Sequence, residues 1–135
     1  IEHELYEKRL ELDDTADAMI KALPGCEKHA VRADNARPES ISYLKRNGIS
    51  RIVACEKGKG SVEDGVEFIK SFKQVVIHSR CRNTVNEFDL YSYKIDRYSG
   101  DILPKLADAH NHAIDSLRYA LEPIMKRRKA PVGML

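Results

Sequence analysis

The sequence predicts an α/β layer fold, a mixed or parallel sheet covered by helices, and three observations carry that expectation. Strand-like and helix-like hydrophobic periods alternate three times between Ile1 and Phe72. The connections between them are short, as in layered α/β units. A chain of 135 residues with 42% hydrophobic and 33% charged side chains has the size and composition of one soluble globular domain.

Ile1 to Lys8 alternates apolar and charged residues around Leu5 and reads as a strand. Asp13 or Asp14 then caps a helix in which Ala16, Met19, Ile20 and Leu23 recur at helical spacing, ending at Pro24-Gly25. His29 to Ala33 is a short extended stretch that delivers Asp34. Pro38 opens a helix carrying Ile41 and Leu44, and Asn47-Gly48 closes it. Ile49 to Cys55 is a β-branched strand; Ser61 with Asp64 resembles a capping box, and Val62, Val66, Ile69 and Phe72 mark one helix face. Gln74 to Ser79 reads as a further buried strand. Asn83 to Leu90 suits a short helix, and Tyr91 to Arg97 an extended arm turning at Ser99-Gly100-Asp101. From Asn111 to Met125 the residues Ile114, Leu117, Ala120, Leu121 and Ile124 form one apolar stripe, with Pro123 where the helix kinks or stops. Residues 1–125 are thus one domain, followed by a basic flexible tail at 126–135.

Composition narrows function only a little. The net charge is +2, too small to announce a nucleic-acid binder by itself, although basic residues cluster at Lys57/Lys59, at Arg80/Arg82 and at Lys126 to Lys129. The longest uncharged apolar run, Val75-Val76-Ile77, is far short of a bilayer span, and no secretory signal is present. Cys26, Cys55 and Cys81 are widely spaced with no CxxC pair, so they read as reduced thiols and not as a disulfide frame or a zinc site. The chain enters strand-like sequence at its first residue, which suggests a piece of a longer polypeptide.

Three constellations could carry chemistry. Asp34 sits at the carboxyl end of an expected strand, the edge where open α/β sheets place ligands; its ordinary alternative is an Asx-turn or cap ahead of Pro38. His112 and Asp115 are three apart on a helix, so an imidazole and a carboxylate can converge on one divalent ion or bound water. There the ordinary alternative is an Asp115 pair with Arg118. Cys55 to Ser61 runs from a strand through a Gly-rich basic loop into a helix start, which suits a phosphate although the Walker order is absent. Tyr91, Tyr93, Tyr98 and Tyr119 could stack on bases or serve as half-buried structure.

In order along the chain, Glu4-Leu5-Tyr6, Ala33 to Ile41 (ADNARPESI), Lys57 to Val62 (KGKGSV), Asn86 to Tyr93 (NEFDLYSY) and Asn111 to Ala120 (NHAIDSLRYA) together resemble the carboxy-terminal nuclease domain of large terminase subunits from tailed bacteriophages and prophages. The resemblance implies a ribonuclease H-like mixed sheet flanked by helices, lacking the first strands. It implies a metal-dependent endonuclease that hydrolyses phosphodiesters of concatemeric double-stranded DNA during packaging. Mg²⁺ or Mn²⁺ would be held at a two-metal site, with Asp34 and Asp115 matching the second and third acids of the family and His112 a histidine beside them. The first acid has no counterpart here, so the chain alone is expected to cut weakly or not at all. Lys57, Lys59, Arg80 and Arg82 are the expected DNA contacts. The implied partners are a terminase ATPase domain, a small terminase subunit and a portal protein, in the bacterial host cytoplasm and transiently at the procapsid portal. The alternatives are a non-catalytic DNA- or portal-binding remnant, and a resolvase or integrase of the same fold.

Two structural expectations follow. Crowded acids without metal should repel, so that one of Asp34 and Asp115 resists ionisation. With the central strand lacking, Ile1 to Lys8 should pair with His29 to Ala33, or a second copy should pair edge to edge as a homodimer.

Overall fold

A computed structural model describes residues 1–129. The elements are helix α1 (Leu12–Ala22), a 3₁₀ turn (Cys26–Lys28), strand β1 (Val31–Ala33), α2 (Pro38–Arg46), β2 (Ile52–Ala54), α3 (Ser61–Lys70), α4 (Arg82–Leu90), β3 (Tyr93–Ile95), β4 (Ile102–Leu106) and α5 (His112–Lys129). β1 and β2 pair in parallel, and β3 and β4 form an antiparallel hairpin, so the α/β expectation holds.

The helices form for local reasons. In α1 the acids Asp13 and Asp14 lie in the first turn, where they complement the helix dipole, while Glu11 occupies the cap position. Pro38 is placed at the start of α2, where its missing N–H costs nothing. Gly60, with φ of 77°, makes the left-handed turn before α3. Ser61 is therefore the first helical residue, and the expected Ser61/Asp64 capping box does not form. Ala16, Leu44, Ile49 and Ile52 form a core to which Met19, Val31 and Ile41 add from α1, β1 and α2.

Two expected strands are not strands. Ile1 to Lys8 is extended, but it does not pair with β1: the Ile1 amino group donates to the Val76 carbonyl at 2.6 Å, and the His78 amide donates to the Ile1 carbonyl at 2.9 Å. Gln74 to Ser79 is not buried either, since Val76 is 65% exposed. An apolar alternation states which face a strand would bury and says nothing of which neighbour it meets. Between residues 1–6 and β1 lies an apolar groove of about 530 Å³, lined by Leu5, Met19, Val31 and Leu117 among others.

The carboxyl end of the chain also differs from expectation. Helix α5 runs through Pro123 and on to Lys129, so residues 126–129 belong to the domain and not to a flexible tail. Their contacts give the reason. Lys126 pairs with Glu56 and lies 3.7 Å from Glu122, Arg128 stacks over Phe68 at 5.3 Å, and Lys129 reaches Asp64 at 3.2 Å. Four bases in a last helical turn also face the negative end of the dipole. Residues 130–135 lie outside the described residues. Among the described residues no helix is long and apolar enough to cross a membrane.

Helix α5 is tied across both parallel strands by Glu122, which is 6% exposed. Its carboxylate accepts the Glu56 amide at 2.9 Å and the Arg32 guanidinium at 3.0 Å. Replacing it by Ala would leave a guanidinium and a backbone N–H without their acceptor. Glu122→Ala should therefore lower stability by about 3 kcal/mol in urea unfolding. Arg32→Met in the same background should add little, because the stranded charge has gone; full additivity of the two losses would show that the pair does not exist.

Candidate functional site

Parallel pairing places the site. Ala33 lies opposite Ala54, and the Cys55 amide donates to the Ala33 carbonyl at 2.8 Å, so both strands end level and release Asp34 and Cys55-Glu56-Lys57 side by side. This is the carboxyl edge of the pair, where side chains from successive strands can converge on a ligand. Glu122 fastens α5 to the same edge through the Glu56 amide. Asp115 stands two helical turns before Glu122, on nearly the same side of the helix. Asp34 and Asp115 accordingly line one cleft of about 490 Å³, together with Lys57, Asp108, Arg118 and Tyr119.

Each acid faces a cation. The Lys57 ammonium lies 2.5 Å from the Asp34 carboxylate, which also accepts the Ala36 amide at 3.0 Å in an Asx-type turn. The Lys57 contact holds the Asp34 carboxyl below its ordinary range, outweighing the opposing effect of burial. Lys57 is further placed by the Tyr119 ring, whose centroid is 5.6 Å from Nζ. Arg118 donates to Asp115 at 2.8 Å and to the Ser61 carbonyl at 3.2 Å, and it is 8% exposed. Gly65 makes room for it: a Cβ there would come within 2.6 Å of the arginine stem. Burial pushes the Tyr119 hydroxyl up, and the charges of Asp115 and Asp34 push it further, so both acids act on one phenol.

The expectation that unpaired acids would crowd each other is corrected at Asp34. Its nearest charge is Lys57, and its carboxyl is depressed instead of raised. His112 is not on the wall of the cleft. Three residues before Asp115, it is turned about 60° around the helix axis, faces the apolar groove, and meets the Tyr6 ring edge-on at 6.3 Å between centroids. Lys59 lines the neighbouring hollow that it shares with Lys57 and Lys126. Arg80 bonds to His78 at 2.9 Å beside the amino-terminal segment, and Arg82 is the exposed first residue of α4. The structure thus brings together Asp34, Asp115, Lys57 and, one hollow away, Lys59, and leaves Arg80 and Arg82 elsewhere.

Asp108, which the sequence reading missed, also opens onto the cleft and accepts from Asn111 at 3.0 Å. The only cue was an acid just ahead of the helix start. Carboxylate oxygens opening onto one cleft, those of Asp34 and Asp115 already holding cationic groups, are a partial donor set for a hard divalent cation. Among the described residues no group of three His, Cys, Asp or Glu side chains could hold a metal ion.

The Lys57 contact has a pH signature. A depressed Asp34 carboxyl means that the pair's small contribution is present above the ordinary carboxylate pKa and is lost as pH falls through the depressed value. Lys57→Met should move the Asp34 carboxyl upward in a carbon-detected NMR titration. An unmoved value would show that the ion pair does not persist in solution.

Residues 1–123 match the family described as the terminase RNase H-like domain. The chain is 38% identical over 126 residues to the terminase large subunit of Bacillus phage SPP1, an alignment covering 92% of this chain and 29% of that protein. It is 28% identical over 119 residues to the PBSX phage terminase large subunit of Bacillus subtilis strain 168, covering 88% of this chain and 27% of that protein. The chain therefore spans less than a third of the length of these relatives. It is also similar to the crystal structure of the g2p (large terminase) nuclease domain from bacteriophage SPP1 with bound Mn. There the TM-score is 0.79 at 36% identity, covering 89% of this chain and 67% of that one. The α/β fold is that of an RNase H-like domain, and the chain belongs to the terminase RNase H-like family.

Proposed function

We propose that this chain is the metal-dependent endonuclease domain of a phage or prophage DNA-packaging terminase, hydrolysing phosphodiesters of concatemeric double-stranded DNA. The observation that carries the reading is the convergence of Asp34 and Asp115, from β1 and α5, on one cleft with Lys57. The similar SPP1 nuclease domain with bound Mn supports a divalent cation as cofactor, Mg²⁺ or Mn²⁺. Asp34 and Asp115 would hold it, and His112, on the neighbouring face of α5, is the further group that the family resemblance implies. A divalent cation of this kind stabilises charge on the attacking and leaving oxygens of a phosphodiester.

The chain's own residues do the rest. Arg118 and Gly65 fix the Asp115 carboxylate against α3, so that it meets a cation without first being ordered. Lys57 neutralises Asp34 in the cleft, and with a cation held by that carboxylate its ammonium would be free to meet a phosphate oxygen. Lys59, one hollow away, extends the positive wall along a DNA backbone, with Arg80 and Arg82 as more distant contacts. Family membership favours this substrate over the junctions or ends taken by a resolvase or integrase. The terminase ATPase domain, the small subunit and the portal remain the proposed partners, in the host cytoplasm and at the procapsid portal.

A second reading is a non-catalytic remnant that binds DNA or portal without cutting. It is favoured by one observation, that no three-ligand metal group forms among the described residues. The two readings separate in solution. The nuclease reading expects Mn²⁺ binding by calorimetry that Asp34→Asn and Asp115→Asn each weaken at least tenfold, with at most weak Mn²⁺-dependent nicking of plasmid DNA by the 135-residue chain. Unchanged Mn²⁺ affinity in both variants would remove it.

DNA contact is tested separately. Reversing Lys57 and Lys59 to Glu should weaken duplex binding and flatten the slope of log affinity against log salt by about two. An unchanged slope would show that this loop does not touch phosphate.

A further inference from the structure

Among the described residues two carboxylates are fully buried, Glu87 and Glu122, and neither lines the acidic cleft. Glu87, in the middle of α4, is 3% exposed. Its side chain accepts the Ala113 amide at 2.8 and 3.0 Å and the Ile114 amide at 3.2 Å. Those are the second and third residues of α5, so their N–H groups have no acceptor inside the helix. Helix α5 therefore receives its amino-terminal cap from another helix. A carboxylate there is favoured by the helix dipole as well as by the hydrogen bonds.

The same carboxylate reaches the other side of the first turn. Burial and the Glu87 charge together push the Tyr6 hydroxyl up, and the Tyr6 ring meets His112 edge-on. Glu87 thus holds the backbone on which His112 and Asp115 are carried, and it borders the aromatic ring that His112 meets. Helix α4 is itself fixed by an equivalent device: Glu4 accepts the Thr84 hydroxyl at 2.6 Å and the Asn83 and Thr84 amides at 3.0 and 2.9 Å.

We propose that Glu87 is a positioning residue for the metal-binding acid of α5: its carboxylate sets the pose of the first turn and so fixes where Asp115 presents its oxygens. The proposal rests on the nuclease reading of Asp115 and goes beyond it, since Glu87 touches neither the cleft nor its ligand. The geometry explains why a carboxylate is needed. Oε1 accepts both adjacent amides and Oε2 shares the Ala113 amide; an amide side chain keeps one acceptor, turns an NH₂ group towards the Ala113 N–H, and brings no charge to the helix start. The turn would then tilt or fray, and Asp115 with it.

Glu4 supplies the control, because it caps α4 in the same chemistry and does not touch α5. The experiment compares Glu87→Gln, Glu87→Asp and Glu4→Gln in the 135-residue chain, at a temperature where circular dichroism shows all of them folded. The probe is Mn²⁺ alone, followed by calorimetry and by the electron paramagnetic resonance of free Mn²⁺. Glu87→Gln should raise the dissociation constant for Mn²⁺ by about tenfold, the size expected when a group that orients a metal ligand is lost. Glu87→Asp should restore part of it, and Glu4→Gln should leave it within about twofold. Equal Mn²⁺ affinity in Glu87→Gln and the unaltered chain would overturn the proposal, as would equal losses in Glu87→Gln and Glu4→Gln, which would make both residues ordinary caps. Asp115→Asn in the same titration keeps the two claims apart. If it binds Mn²⁺ as the unaltered chain does, the reading of Asp115 falls; if it does not and Glu87→Gln does, only the positioning role falls.

Discussion

The fold of this domain hangs on a single buried carboxylate. Glu122 accepts from Arg32 on β1, from the amide that follows β2, and stands near Lys126 one turn further along its own helix. Together with the Lys126–Glu56 pair it gives α5 a polar register on the strand ends, which apolar packing alone would not fix. Asp115 then falls about 10 Å along the axis from Glu122, close to two turns, which is what carries it to the level of Asp34.

Glu4 and Glu87 repeat this use of a carboxylate elsewhere. Each is drawn out of water to meet amides at a helix start, and each gains charge-assisted hydrogen bonds where a hydroxyl cap would supply one ordinary bond. For Glu4 burial works against ionisation, yet the Thr84 hydroxyl and the two amides outweigh it and hold the carboxyl below its ordinary range. Such contacts are directional where apolar packing is not. Glu4 links the amino-terminal segment to α4, and Glu87 separately links α4 to the first turn of α5, which carries Asp115.

Helices were legible in the sequence and strands only partly so. The spacing of Ala16 and Met19, of Ile41 and Leu44, and of Val66 and Ile69 is a property of one segment, and the helices stand where it points. A strand is defined by its neighbour. Ile49 to Cys55 found one in β1, whereas Ile1 to Lys8 and Gln74 to Ser79 meet only at Ile1, Val76 and His78 and remain extended. The cleft was legible to the same degree. Asp34 and Asp115 could be named because a strand end and a helix turn are local facts, while the turn of His112 towards Tyr6 depends on a segment more than a hundred residues earlier. Glu4 and Glu87 lie inside the family-like segments Glu4-Leu5-Tyr6 and Asn86 to Tyr93, but nothing in their own neighbourhoods says that they cap helices.

Charge balance explains how Asp34 and Asp115 can share one cleft in the metal-free molecule. Asp34 has Lys57 and Asp115 has Arg118, so these two acids enter it as ion pairs. The two pairs are not equivalent. Arg118 is buried, braced on the Ser61 carbonyl and packed against Gly65, which makes it part of the frame. The Lys57 side chain is about one-third exposed at 34%, follows directly on β2 ahead of Gly58, and among the described residues is held by Asp34 and the Tyr119 ring alone. The two acids of the cleft thus differ in their partners: one is held by a buried, braced guanidinium, the other by a partly exposed ammonium. On the proposed reading, a cation would displace the second partner more readily than the first.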